Sequence, residues 1–316
     1  MYQPRDFIET HERLVFAVVA AEPEQQRVLA TLRYIPSSSG TGHQKMDSHA
    51  ANHFLETTHP DYLFYSKRCD VNLHGVPIES ICKHYQPRAK LAELLSSNPA
   101  QTHQQKPLEQ KVIDLMDIML THGIDSQQVG ITGSILLGVQ NQNSDIDLVI
   151  YDRETFFNIL DIVKQSIEKD GQLQALDESL WQNAWQRRDC SLSFAEFLWH
   201  EQRKCNKAAI QGTKFDLSLM TPSLPEDRQT YQKCGLIQLQ AQVIEDQFRF
   251  DYPARYQLDH PQVKEVVCFT QTYAGQARKG ERVELSGQLE TSANGQQRLL
   301  IGTSREAKNE TIKVIR

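Results

Sequence analysis

Long apolar runs and paired cysteines are both missing from this chain of 316 residues. No stretch of about eighteen consecutive apolar residues occurs, and the N-terminus, MYQPRDFIETHE, has no apolar segment of the signal-peptide type. The six cysteines stand singly, without C-x-x-C spacing, so neither a zinc ribbon nor a disulfide framework is indicated. We therefore expect a cytoplasmic protein with reduced thiols and no association with membranes.

An excess of basic residues is also missing. The formal net charge of −6 argues against a protein that coats nucleic acid over its whole surface, although it leaves room for a local basic face. With 39% hydrophobic and 23% charged residues, the composition is that of an ordinary globular chain. The length allows two or three domains, each with its own core.

Residues 1–97 predict a small α+β unit. Two β-branched, apolar runs, LVFAVVAAE and RVLATLRYIP, are separated by the polar PEQQ, and this pattern is typical of a β-hairpin. DYLFYSK predicts a third strand, and PIESICKHYQPRAKLAELLSS predicts one or two short helices with a break at Pro87. The polar stretch 96–106 is the candidate linker to the next region.

Two further regions follow, and together they place the chain in the α+β class. Residues 107–222 read as helix, strand, turn, strand, helix and, after a tryptophan-containing insertion, the strand KFDLSLM. Residues 226–316 are rich in short strands separated by turns, including the hairpin signal Asn294-Gly295, and predict a small β-barrel or sandwich.

Two aspartates flank a single isoleucine at the start of the most apolar strand, DIDLVIYD. Alternate strand residues share a face, so Asp145 and Asp147 should lie side by side with Cα atoms about 6.6 Å apart, from a rise of roughly 3.3 Å per residue. Two such carboxylates repel unless a cation or a proton intervenes. Their spacing suits a site for two divalent ions about 3.5–4 Å apart.

A Gly-Ser pair precedes these aspartates by ten residues. Gly133 allows the backbone to approach a ligand closely, and Ser134 heads the segment SILLG, whose free N–H groups would face an anion if the segment forms a helical turn. A triphosphate between this turn and metal ions on Asp145 and Asp147 would have the geometry needed for nucleotidyl transfer.

The pattern GS, ten residues, then DIDL resembles the signature of the polymerase-β-type nucleotidyltransferase superfamily over about residues 107–222. The resemblance implies a third carboxylate on a later strand, and Asp216 in KFDLSLM falls where it is expected. It also implies two Mg²⁺ ions held by Asp145, Asp147 and Asp216, with an NTP as substrate. Many relatives have arginine or another polar residue directly after Gly-Ser, whereas Ile135 and Leu136 follow here.

Other residues leave alternatives open. Arg203 and Lys207 lie four apart on one helical face and would contact a triphosphate, a nucleic-acid backbone or only solvent. His49 and His53 have the spacing of a zinc pair on a helix, but no carboxylate or cysteine pattern accompanies them. The C-terminal turn GQARKGER would bring Arg278, Lys279 and Arg282 to a nucleic acid, or would merely be soluble.

The sequence thus favours a Mg²⁺-dependent nucleotidyltransferase that moves a nucleoside monophosphate from an NTP to a hydroxyl and releases pyrophosphate. The alternative is a non-catalytic module that binds nucleic acid or protein and retains only the fold. The acceptor, with RNA and protein among the candidates, and the base of the nucleotide stay open.

Overall fold

The computed structural model describes residues 1–37, 42–96, 107–188, 190–221, 229–304 and 309–316. Within these ranges the chain forms seven α-helices and three β-sheets, which confirms the mixed α+β class. The predicted linker lies outside the described residues apart from Ser96. No helix in these ranges is long and apolar enough to cross a lipid bilayer.

The chain divides into two compact units. The first comprises Met1–Ser66, Val71–Gln174 and Ala208–Met220, and the second comprises Lys67–Asp70, Ala175–Lys207 and Thr221–Arg316. The sequence predicts three regions that follow one another along the chain, and this division into regions stays a prediction. All three aspartates singled out above lie in the first unit.

The first unit begins with a seven-stranded sheet whose described pairings are all antiparallel. Its strands are β1 (Phe7–Thr10), β2 (Val15–Val18), β3 (Arg27–Pro36), β4 (His43–Lys45), β5 (Leu63–Ser66), β6 (Val71–Pro77) and β7 (Ile81–Tyr85). The order is β5-β6-β3-β2-β1-β7, with β4 beside β3. The predicted hairpin is confirmed by the pairing of β2 with β3, and β5 confirms the third strand.

Helix α1 (Ser48–Thr58) packs on this sheet, whereas α2 (Pro87–Ser96) follows it in the chain and lies against the segment Val129–Thr132. Asp47 caps α1 by accepting a hydrogen bond from the backbone N–H of Ala50. The helix predicted over PIESICKHY is wrong for Ile81–Tyr85, which form β7 and pair with β1. The segment begins with the β-branched Ile81 and ends with the aromatic Tyr85, and such residues favour strands. Together with the pairing to β1, this preference outweighs the weak helical pattern of the short segment.

The two faces of the first sheet bury different residues. One face packs against Leu55 of α1 through a cluster that includes Phe16 and Leu32. The opposite face buries Phe7, Val15 and Tyr34, as strand alternation requires. Apolar residues from outside the sheet cover this second face, namely Leu136, Leu137 and Val139.

A four-stranded sheet with order β10-β11-β9-β8 forms the rest of the first unit. The strands of this sheet and the helices of the same region are α3 (Pro107–Thr121), β8 (Val129–Thr132), α4 (Gly133–Leu136), β9 (Ile146–Ile150), α5 (Arg153–Gln165), β10 (Lys207–Ile210) and β11 (Thr213–Leu219). Strand β9 runs antiparallel to β8 and parallel to β11. The two predicted helices and three predicted strands of this region are confirmed.

The second unit contains α6 (Glu178–Arg188) and α7 (Phe194–Gln202) with a six-stranded sheet. Its strands are β12 (Tyr231–Glu245), β13 (Ala254–Asp259), β14 (Glu265–Cys268), β15 (Arg282–Ser292), β16 (Gln297–Ile301) and β17 (Thr311–Val314). The hairpin signal Asn294-Gly295 joins β15 to β16, with Gly295 at φ +82°. Strand β12 pairs with both β13 and β15, so the pairings close on themselves.

Candidate functional site

The three aspartates converge at one end of the four-stranded sheet. Asp145 immediately precedes β9, and Asp147 is the second residue of that strand. In the parallel pairing of β9 with β11, Asp147 stands directly opposite Asp216. The apolar residues of β9 are buried in the core, which fixes the strand and therefore the side on which the aspartates lie; they are Ile146, Leu148, Val149 and Ile150.

A lysine that the sequence analysis did not single out lies between two of these carboxylates. The Nζ atom of Lys214 is 3.0 Å from Oδ2 of Asp145 and 2.5 Å from Oδ2 of Asp216. Burial alone would lower the pKa of Lys214, but the attraction of Asp216 and Asp145 outweighs it and the net pKa is raised. This ammonium group therefore stays charged and bridges the two side chains.

The Lys214 position carried a usable signal in the sequence. Residues 214 and 216 are two apart on β11, so their side chains share a face of the strand. If Asp216 is predicted to face the site, the alternation of strand residues predicts that Lys214 faces it as well.

The carboxyl group of Asp147 has a strongly perturbed pKa. Burial raises its pKa, the negative charges of Asp216 and Asp145 raise it further, and the resulting value is about 6. The positive charges of Lys214 and Arg5 act in the opposite direction. Added positive charge beside Asp147 would thus stabilise its ionised form.

The Gly-Ser turn lies against this carboxylate. Gly133 adopts a left-handed conformation with φ +68°, and a Cβ atom built on it would come within 2.3 Å of Oδ2 of Asp147. Glycine is therefore required both by the backbone conformation and by the close approach of the carboxylate. Ser134 lies in the first turn of α4, so the predicted helical turn is confirmed.

The apolar residues that follow Ser134 have a structural role. Ile135 and Leu136 are buried, and Leu136 packs against Phe7, Val15 and Tyr34 of the first sheet. The outer side of α4 is thus covered by protein, where a polar side chain would lose its hydration. This packing explains the departure from the sequence pattern of the resembling superfamily.

The first sheet and the segment before it also reach the aspartates. The hydroxyl of Thr132 donates a hydrogen bond of 2.8 Å to the carbonyl oxygen of Arg5, and Thr132 stands opposite Asp147 in the β8–β9 pairing. Burial raises the pKa of the Tyr34 phenol, and the charge of Asp147 raises it further. The sequence analysis missed Arg5, Tyr34 and Thr132, because no spacing within the chain links them to the aspartates.

Arg203 and Lys207 lie in the second unit. Arg203 follows α7, forms an ion pair with Glu281, and places its guanidinium carbon 4.4 Å from the ring centroid of Trp199. Lys207 is buried, and its Nζ atom lies 2.6 Å from Oε2 of Glu201. Helix α7 ends before Arg203, and Lys207 begins β10, so the prediction that Arg203 and Lys207 share a helical face is wrong. Their assignment as nucleotide contacts stays a prediction.

Metal ligation is not preformed in the described parts of the chain. Among those residues, no group of three or more histidine, cysteine, aspartate or glutamate side chains is arranged to hold a metal ion. His49 and His53 do lie on a helix, α1, as their spacing indicated. At the three aspartates, the cation between two of the carboxylates is the Lys214 ammonium group.

Comparison with known proteins gives one full-length relative. No protein-family model matches the chain, and no solved structure matches it significantly. Uncharacterized protein MJ1086 of Methanocaldococcus jannaschii is 34% identical over 341 aligned positions, which cover 99% of this chain and 98% of the relative. The chain therefore belongs to the same family as this archaeal protein.

Proposed function

We propose that the protein is a nucleotidyltransferase that moves a nucleoside monophosphate from an NTP to a hydroxyl group and releases pyrophosphate. The observation that carries this proposal is the register of β9 with β11, which sets Asp147 opposite Asp216. Asp145 lies next to them, and the Gly133 turn touches Asp147. Three carboxylates beside a tight glycine turn are an arrangement suited to a triphosphate with divalent cations.

The donor chemistry of these carboxylates fits Mg²⁺. Asp145, Asp147 and Asp216 offer only oxygen atoms, which Mg²⁺ prefers. Burial raises the pKa of Asp147 most, and the charges of Asp216 and Asp145 raise it further against the opposing charge of Lys214, so a divalent cation would relieve the repulsion among the carboxylates. Bound there, Mg²⁺ would neutralise phosphate charge and lower the pKa of the attacking hydroxyl.

The side chains of this chain would divide the remaining tasks. Lys214 holds the carboxylates of Asp145 and Asp216 in place through its two short contacts. The pKa of Asp147 is about 6 without a bound cation, and it would fall once Mg²⁺ is bound, so that the ionised carboxylate would serve as a ligand. Gly133 leaves the space beside Asp147 free of a side chain, and Ser134 begins the turn that would face the β and γ phosphates.

The experiment is a transfer assay with each NTP labelled in turn at the α phosphate, in the presence of Mg²⁺ and a cell extract. The parent protein should transfer label to an acceptor, and Asp216→Asn should abolish this transfer. Asp161→Asn is the matched control, because Asp161 lies exposed on α5. A parallel assay with NTPs labelled at the γ phosphate, if it transferred label while the α-labelled NTPs transferred none, would indicate a kinase and would refute the proposal.

The second candidate is a binding module without turnover. It is favoured by Lys214, which already neutralises part of the charge that two metal ions would neutralise. The closed strand pairing of the second unit supports the predicted small barrel, a type of fold that often binds nucleic acid or protein. A parent protein that binds NTP and Mg²⁺ but transfers no label to any acceptor would favour this candidate.

A further inference from the structure

The segment before the first strand lies against the turn at the carboxylate site. The carbonyl oxygen of Arg5 accepts the hydrogen bond from Thr132, the residue immediately before Gly133. Arg5 itself has φ +80°, a left-handed conformation that is uncommon for a residue with a side chain.

The hydrogen bond to its carbonyl oxygen places the backbone of Arg5 beside the turn. Thr132 is opposite Asp147 in the β8–β9 pairing, so the contact with Thr132 brings Arg5 to the same end of the sheet. The charge of Arg5 is close enough to Asp147 to act on its carboxyl group. Arg5 is only partly buried, which leaves part of it accessible to a ligand.

The turn itself supplies no cation for phosphate. The two residues after Ser134 are Ile135 and Leu136, and both are buried. Lys214, the other cation at the aspartates, contacts two carboxylates. A triphosphate carries several negative charges, and guanidinium groups bind phosphate through paired hydrogen bonds.

We propose that Arg5 binds the phosphate chain of the nucleotide, and so supplies from the N-terminal segment the positive charge that the Gly-Ser turn lacks. This inference rests on the proposed function, since it assigns the phosphate chain to the same site. It gives residues 1–97 a direct part in the site, through Arg5 and through the Thr132 contact that positions it.

The test uses inorganic tripolyphosphate with Mg²⁺, because this probe carries the phosphate chain without a base. Its affinity for the full-length protein is measured by calorimetry. Arg5→Gln should weaken binding about ten- to a hundredfold, the effect of losing a charge-assisted hydrogen-bonded contact. Arg5→Lys keeps the charge but not the paired donors, and it should lose less affinity than Arg5→Gln.

Arg13→Gln is the matched control. Arg13 is an exposed arginine between β1 and β2 and also has a positive φ, +64°, so its replacement makes the same change in charge at a similar backbone conformation. It should change the affinity less than twofold. A circular dichroism spectrum and an unfolding curve for each variant test whether the fold is kept. Thr132→Val removes the hydrogen bond to the Arg5 carbonyl oxygen and is a second variant that should weaken tripolyphosphate binding.

Two results would overturn the proposal: undiminished affinity in folded Arg5→Gln, or an equal loss in Arg13→Gln, which would mark a general charge effect. A parent protein that fails to bind tripolyphosphate would overturn it as well. The transfer assay separates this failure from that of the proposed function. Label transfer with undiminished binding in Arg5→Gln refutes only the role of Arg5, whereas Arg5-dependent binding without transfer refutes only the reaction.

Discussion

Replacing Asp147 by asparagine tests whether the carboxylate of Asp147 binds a ligand or stabilises the fold. The side chain keeps its shape and loses its charge. Burial and the neighbouring Asp216 raise the pKa of Asp147 from 3.8 to about 6. Since the folded state holds this proton more tightly than the unfolded state, the parent loses stability as the pH rises from about 4 to about 6.

The magnitude follows from the size of the shift. A rise of roughly two pKa units corresponds to about 3 kcal/mol in the free energy of unfolding. We therefore expect Asp147→Asn to be more stable than the parent by up to about 3 kcal/mol at pH 7. The difference should fall below about 1 kcal/mol near pH 4, where Asp147 of the parent is protonated in the folded state and about half ionised in the unfolded state.

The assay is urea unfolding of parent and variant between pH 4 and pH 7.5, repeated with Mg²⁺ and an NTP. A ligand at about a hundred times its Kd should stabilise the parent by about 2.7 kcal/mol and should have little effect on the variant. A variant that is several kcal/mol less stable than the parent at pH 7 would refute the reasoning, because it would show that Asp147 is a partner in a stabilising ion pair. Equal stabilisation of both proteins by Mg²⁺ and NTP would remove Asp147 from the ligand site.

Two further predictions concern the neighbours of Asp147. Gly133→Ala should lower the free energy of unfolding by about 1–3 kcal/mol and reduce nucleotide transfer, because its Cβ would collide with the Asp147 carboxylate. The control is Gly171→Ala, at a similar φ but with open space around it, which should cost only the backbone strain. Equal losses of stability in urea unfolding of the two variants would contradict this prediction. Without Mg²⁺, Lys214→Met should lower the free energy of unfolding by about 3–5 kcal/mol, because two carboxylates lose their shared cation. Millimolar Mg²⁺ should restore part of this stability. A variant as stable as the parent would show that the Lys214 bridge contributes nothing to stability.

Periodicity predicted much of the first unit from the sequence. The alternation of β9 and the amphipathic patterns of α3 and α5 are strong enough that tertiary contacts do not override them. Ile81–Tyr85 was read as helix because five residues give too short a window to distinguish the two periods. The fifteen-residue β12 was not predicted, although residues 237–243, IQLQAQV, alternate apolar and polar side chains and the glutamines are exposed.

The candidate site was predictable only where its residues share one strand pattern. Asp145, Asp147 and Asp216 followed from spacing and resemblance, and the structure brings Asp147 and Asp216 into register. Arg5 and Tyr34 are more than a hundred residues from Asp147 along the chain, and only the packing of the first sheet on α4 brings their region to it. Long-range packing of this kind leaves no local signal in one sequence.

Gly130 shows how closely the first region and the four-stranded sheet are built together. A Cβ atom at this position of β8 would lie 2.8 Å from Cβ of Pro87 and 2.9 Å from the backbone nitrogen of Arg88, at the start of α2. A fragment cut to begin at Pro107 would uncover this strand and leave Leu136 without its partners. Such a fragment should aggregate, so residues 1–96 have to accompany the aspartates in any truncation, fusion or transplant of this site into another protein.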